Sequence, residues 1–578
     1  MPLIRGRIKR CAGSFCARTS MADTPGRAIS LATPGGTPSA ETPGGTASVA
    51  TPGILVIAAL VAFASAGHGT RAWAADPPLI EAAKAGAAPV AAALIAEGAD
   101  VDAPSADGAT ALHFAIERGD VGLTEVLLTA GASAHTATRN GVTPLALAAL
   151  NGSAAIIERL LDHGVDPNER SGEGQTALML AALNGWPDAV RVLLERGADP
   201  HAVEPFKGQT ALMWAAGDGN PEAVSLLLEH GAALEAQSAS GFTALLFAVR
   251  NAEIEALNVL LESGANVDAV APDGTSALNV AVVNGYYEAA SILLAHGADP
   301  NLSDPRGSPL HTIAWLRKPG ATGTAAVGGE ADAPVRPIGR VTSLELAQQL
   351  LDAGADPNVR IDWPESRFNK LGGTARNPPG LILGRHLLTY NGATAFYVAA
   401  KNGDAPLMRL LADGGADPTI PNRFGITPLM VAAGLDTWEG ETPGPHTGVS
   451  EAERLEAVKL AVALGNDVNA RADFGDYPME GTPEYTLLYY PHNLEALETL
   501  GVGDPRWDDS TALHGSIITN QPSITQYLID QGADPAAKNA LGWTPLMMTR
   551  GVFLANAERE FPAAEAILLE ALGRDGAD

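Results

Sequence analysis

Several things are scarce in this chain. Of 578 residues only two are cysteine, Cys11 and Cys16. Beyond residue 16 no disulfide, thiolate metal site or haem-attachment motif can be built. Basic residues are outnumbered 37 to 66, for a net charge of −29. The first 74 residues hold seven Lys/Arg against two Asp/Glu, so the remainder stands at −34. Phosphate backbones repel such a body, and nucleic-acid binding is not expected of it. Only Arg360, Arg367, Lys370, Arg376 and Arg385 resemble a basic patch, and they are scattered. Aromatics are 5% of the chain. The apolar run at 54–66 is 13 residues long, short of the roughly 20 that span a bilayer. No phosphate-binding glycine loop, nucleophile elbow, HExxH or CxxC spacing occurs.

What the chain has is one phrase said repeatedly. It reads GQTALMLAALNGWPDAVRVLLERGADPHA at 174–202 and GQTALMWAAGDGNPEAVSLLLEHGAALEA at 208–236. Gly108, Gly141, Gly174, Gly208, Gly241, Gly274 and Gly307 open successive copies, with one single-residue slip at Gly208. Self-similarity at such a period decides the architecture before any other signal.

Each copy predicts a helix, a glycine stop, a second helix and a second stop. Thr176 sits where an N-cap belongs, its hydroxyl placed to accept a free first-turn N–H. Sister copies follow this threonine with proline, Pro144 and Pro428, suited to the first helical position. Ala177, Leu178, Leu180, Ala181 and Ala182 make a short helix ended by Gly185. Ala189, Val190, Val192, Leu193 and Leu194 share one side of a second helix that stops at Gly197. Ala198-Asp199-Pro200 then turns the chain out into a hairpin loop. One such pair cannot bury enough apolar surface to offset its own ordering, so copies must stack.

In period, turn, helix stops and apolar pattern the chain resembles the ankyrin-repeat family over about 77–578, apart from insertions. The Thr-Pro-Leu-His tetrapeptide is imperfect, with Ala or Met often in place of Pro or His. The resemblance implies an all-α solenoid, here of about twelve repeats. It also implies protein binding, without chemistry, on a concave surface of first helices and hairpin tips; the acidity predicts that this surface is a long acidic trough. Residues 77–106 read as an N-terminal cap, and Ala563 to Leu572 end a C-terminal one.

The leader, 1–74, repeats Thr-Pro-Gly at 24–26, 33–35, 42–44 and 51–53, and its Pro/Gly density cannot make a core. The apolar run 54–66, followed by Ala72-Trp73-Ala74, predicts a secretory signal cut after Ala74. Two other readings stay open: a start codon assigned too early, and an uncut membrane anchor through 54–66. With its leader the chain resembles secreted, periplasmic ankyrin proteins of Gram-negative bacteria.

Four insertions interrupt the second half, at about 317–342, 361–391, 435–450 and 472–508. They divide the array into 77–360 and 392–578, joined by 361–391. The first insertion is poor in aromatics. The others hold Trp363, Phe368, Arg385, His386 and Tyr390; then Trp438 and His446; then Tyr489, Tyr490 and Trp507. Aromatic and arginine side chains are favoured anchors of protein interfaces, and these ten are the candidate partner-binding residues. The insertions at 361–391 and 472–508 fall at hairpin tips, and those at 317–342 and 435–450 at the opposite edge.

No catalytic, cofactor or metal residue is assigned, and no cofactor is expected. His113, His311 and His514 hold the histidine position of the repeat, where the resemblance implies a hydrogen bond between neighbouring loops. His163, His230 and His296 precede the glycine ending a second helix, where a cation suits the dipole. Asp508-Asp509 reads as a helix N-terminal pair. Asp299 to Asp304 resembles the start of a calcium loop but lacks its glycine and terminal glutamate. The expected function is an exported protein-interaction scaffold, with a periplasmic enzyme among the candidate partners and a membrane only if the leader stays on. The alternative is an enzyme or small-ligand binder whose site is built from the three aromatic insertions.

Overall fold

The computed structural model describes residues 76–272, 274–304, 307–317, 339–362, 392–435, 449–473, 508–550 and 560–573. Among these the regular elements are 24 helices, which follow one another as twelve consecutive pairs. The β-structure among them is limited to isolated bridges such as Arg170 to Thr176 and Val203 to Thr210.

A first helix is a short apolar rod. In Ala177–Leu183 the Thr176 hydroxyl accepts the Met179 N–H, and six of the seven residues are buried. The same cap recurs at Thr143, Thr210, Thr243, Thr394 and Thr427. Second helices are amphipathic. Pro187–Glu195 buries Ala189, Val190, Leu193 and Leu194 and sends Asp188 and Glu195 outwards.

Each first helix packs on the next first helix, and each second helix on the next second helix. The insertions leave this stacking intact. Pro309–Arg317 lies against Ala395–Lys401, Ser343–Asp352 against Ala405–Asp413, and Glu451–Ala463 against Pro522–Asp530. One apolar core therefore runs from Leu79 to Leu568.

Two polar seams close the edges. On one, a side chain in several repeats donates to the end of the previous first helix, where carbonyls lack partners. Asn151 donates to Ile116 O, Trp186 to Leu150 O, Asn220 to Ala182 O and Asn402 to Ala314 O, at 2.9–3.2 Å. The Trp186 indole lies against Gly152, whose φ is +70° and where a Cβ would stand 2.4 Å from the ring, so only glycine fits. On the other edge, Asn168 donates to Gly197 O and accepts the Asp199 N–H. Asn301, Asn358 and Asn469 make the same two bonds across the insertions, to Gly354 and Asp356, Gly415 and Asp417, and Gly532 and Asp534.

Candidate protein-binding face

The charge is sorted by row. First helices hold two carboxylates, Glu81 and Glu117, against four cations, Lys84, Arg250, Arg317 and Lys401. Second helices hold 19 carboxylates against five cations. Asp162, Glu195, Glu229, Glu262, Asp352, Asp413 and Asp530 each end a second helix and form a column of like charge. The first helices therefore add no net acid to the trough expected of them and the hairpin tips. First-helix residues are enclosed by neighbouring helices, so few charges are tolerated there, and the acidity falls to the second-helix row and the loops.

The first-helix row carries an apolar column instead, one residue per repeat: Phe114, Leu147, Leu180, Trp214, Phe247 and Val280. Phe114, Leu147 and Trp214 are half-buried and the other three buried. Cations lie over its rings. Lys84 Nζ is 4.9 Å from the Phe114 centroid, and Arg250 is 5.0 and 5.5 Å from those of Phe247 and Phe242. Such contacts hold the rings in place. Trp214 Nε1 donates to Gln209 Oε1 at 3.0 Å, which fixes the indole. Lys84 hydrogen-bonds Asp76 and Glu81, and the Asp76 bond leads in raising its pKa. In the second half the same positions are Thr312, Val398, Val431, Gly515 and Met548, all of them buried, so the partly uncovered part of the column is confined to the first half.

At the hairpin edge the one-residue slip before Gly208 becomes a rigid tip. The buried Glu204 carboxylate accepts the N–H groups of Phe206, Lys207 and Gln209 at 2.7–3.1 Å. Phe206, 77% exposed, is thereby held outwards, the most exposed large apolar side chain among the described residues.

All ten residues singled out in the insertions, Trp363, Phe368, Arg385, His386, Tyr390, Trp438, His446, Tyr489, Tyr490 and Trp507, lie outside the described residues. The roots of two insertions are described. In the regular turn at 171–175, Ser171 N donates to Gln175 O and Gly174 N to Ser171 O. Ile361 N donates to Ala393 O and Gly392 N to Ile361 O, and Ala472 N to Ser510 O and Asp509 N to Ala472 O. These are the same two bonds, so each long excursion replaces the two residues at the tip of an otherwise unchanged turn. Arg360 donates to Gly392 O and Pro421 O, and Arg471 to Asp509 O and Lys538 O, as Arg170 does to Gly174 O and Val203 O. Arg360 is thus a staple between hairpins rather than part of a basic patch. Asp509 does not cap a helix. It stands at φ +58° where other copies have glycine, it pairs with Arg471 at 2.9 Å, and Thr511 is the N-cap.

Six of the described histidines have structural bonds. His113, His311 and His514 accept a backbone N–H at Nδ1, which leaves the proton on Nε2 to donate to Val142 O, Ala393 O and Trp543 O. Burial lowers all three pKa values, His311 and His514 to about 4. His163, His230 and His296 turn Nδ1 back to a carbonyl four residues earlier. Among the described residues no cluster of His, Cys, Asp or Glu is placed to hold a metal ion.

The Ankyrin repeats (3 copies) family model matches residues 121–204, 197–271 and 236–304. Ankyrin repeats (many copies) matches 79–128, and Ankyrin repeat matches 391–423 and 508–540. Among solved structures, the human ASB11 ankyrin repeat domain is similar at 30% identity, over 35% of this chain and 91% of that one. The ankyrin repeat domain of Bcl-3, a member of the IkappaB protein family, is similar at 32%, over 36% and 93%. Both superpose at a TM-score of 0.33. No curated protein matches the chain. Ankyrin repeats are in general non-enzymatic modules of protein–protein interaction. The period, the stacked pairs and the matched models lead to one conclusion: the chain belongs to the ankyrin-repeat family.

Proposed function

We propose that the chain is an exported, non-catalytic scaffold that binds a protein through its first-helix row, assisted by the insertions at 361–391, 435–450 and 472–508. The observation that supports it is the apolar column from Phe114 to Val280, on the helix row that carries no excess of acid. Half-buried aromatics on rigid elements suit hot-spot contacts, because little side-chain freedom is lost on binding. The leader supports export, with removal after Ala74, and a periplasmic enzyme is then a partner within reach.

The test begins with recovery of a partner from a periplasmic extract and ends with calorimetry on the purified pair. Trp214→Ala is expected to weaken binding by about 2 kcal/mol, roughly thirty-fold, with the thermal midpoint little changed. Unchanged affinity would remove the column from the interface. N-terminal sequencing of the exported protein checks the leader: a first residue before 54 would refute processing.

A further inference from the structure

We propose that Asn140 is a site of spontaneous covalent modification, where asparagine converts to aspartate and isoaspartate and loosens the contact between two hairpin tips. The site goes beyond the protein-binding reading and does not depend on it. Asn-Gly occurs at Asn140, Asn151, Asn184, Asn284, Asn391 and Asn402. Of these, Asn391 lies outside the described residues. At such a step the glycine has no side chain to shield its backbone nitrogen.

The chemistry needs only water. The Gly141 nitrogen gives its proton to solvent base and attacks the side-chain carbonyl carbon of Asn140. A C–N bond forms, the ring closes as a succinimide, and ammonia leaves. Water then opens the ring at either carbonyl, which yields aspartate or isoaspartate. For the attack the side chain has to swing against its own backbone, so whatever ties the amide down slows the reaction.

Four of the asparagines are tied down. Asn151 Nδ2 donates to Ile116 O at 3.2 Å, Asn184 to Leu180 O at 2.8 Å, Asn284 to Val280 O at 2.8 Å and Asn402 to Ala314 O at 2.9 Å. Each is the C-cap of a first helix, so ring closure there would also unwind a packed helix end. Asn140 differs on both counts. It is exposed at the tip of the hairpin before Pro144–Leu150, and its side chain makes no hydrogen bond among the described residues. Two backbone bonds remain to restrain the step, Gly141 N to Thr138 O and Gly172 N to Gly141 O, both at 2.8 Å. Opening a loop tip costs less than opening a packed helix end. Asp107-Gly108 holds the same place one repeat earlier, but its carboxylate accepts from Ser105 and from Ala109 N, and an ionised carboxylate is a poor target for attack.

The tip has no slack to absorb the product. A Cβ on Gly141 would stand 2.4 Å from Gly172 Cα. Isoaspartate carries the main chain through the side-chain carbon, one atom longer. Gly141 is then displaced, and its bonds to Thr138 and Gly172 are lost.

The full 578-residue protein is aged in mildly alkaline buffer, folded and in urea, and mapped by peptide mass spectrometry. In the folded protein Asn140 is expected to convert about tenfold faster than Asn151, Asn184, Asn284 and Asn402. In urea the five rates should converge. Hydrogen exchange at Gly141 and Gly172 should quicken in the aged protein and stay slow in aged Asn140→Gln, whose longer side chain closes the ring far less readily. Conversion of folded Asn140 no faster than that of the other four would overturn the proposal. So would a lead that persists in urea, which would belong to the adjoining residues rather than to the fold. Exchange that conversion leaves unchanged would overturn the loosening.

Discussion

The seven repeats before Ser308 and the five after it use one plan and hold it together differently. In the first half the repeats follow without interruption, and the stack is closed by apolar packing and amide seams. In the second half the helices of a pair, or the pairs themselves, are separated by long excursions, and ionised or amide groups enter the buried seam. Arg317, at the end of a first helix, forks onto Asp404 of the next repeat at 2.5 and 3.1 Å and also donates to Ser343. Asp404 is fully buried and caps its own helix through the Leu407 N–H. Arg454 and Gln521 are buried as well. Where sequence continuity is lost, directional contacts restore register, because an apolar face alone does not specify which neighbour it meets.

Removing one partner of that pair should break the second half most. Asp404→Ala leaves Arg317 facing a dry seam and uncaps a helix, and is expected to cost about 3–5 kcal/mol. A urea titration should then resolve an early transition confined to the repeats after Ser308. A single unshifted transition would mean that the ion pair is not what joins them.

Acid should act next. The folded pKa values of His311 and His514 lie below the unfolded value, so the neutral ring is the form that folding favours. Their stabilisation is complete above about pH 6.5 and is lost as pH falls towards 4. The slope is about 1.4 kcal/mol per pH unit per ring, or about 4 kcal/mol for the pair by pH 5. Urea midpoints at pH 7 and pH 5 measure it, and replacing both rings by glutamine should flatten the difference.

Excising an excursion should have a smaller effect of opposite sign. Replacing 362–391 by Gly-Glu, as at 172–173, keeps both hairpin bonds. The shorter closure should then raise stability by up to about 2 kcal/mol. A loss instead would show that the excursion packs on the array and is part of its fold.

The smallest change belongs to the regular half. Ala252 stands at φ +59° after Ala244–Asn251, where sister copies have glycine. Ala252→Gly relieves a left-handed alanine but loosens the unfolded chain, for a net gain of about 0.5–1 kcal/mol. Thermal denaturation reads it directly.

The repeat plan was legible because it is written locally. A threonine before Ala-Leu, a glycine after seven or eight residues and a 33-residue step need no distant partner to be read, and the role of His113 and its sisters came with the family resemblance. The charge was harder. Composition gives a total, whereas its placement depends on which residues neighbouring helices enclose, so of the surface expected to be acidic the first helices contribute no net acid and the acid sits on the second helices and the hairpin loops. Arg360 read as one of five scattered cations because its partners, Gly392 O and Pro421 O, are carbonyls on other hairpins. The apolar column was hidden for a related reason: Trp214 and Leu147 resemble core residues until the spacing of the stacked helices leaves one side of each uncovered. The aromatic insertions drew attention by composition alone, and their ten residues lie outside the described part of the chain.

The column from Glu195 through Glu229 to Glu262 makes the array sensitive to ionic strength, whereas Asp162 before it is paired with Arg196 at 2.9 Å. Stacked helices stand about 8–10 Å apart, close to the Debye length of about 10 Å in 0.1 M salt. In dilute buffer each carboxylate feels its neighbours, at helix ends where the dipole is already negative, and the outer row is pushed apart. As electrolyte is added that repulsion fades, and the same stack becomes stiffer and harder to melt without any contact being gained.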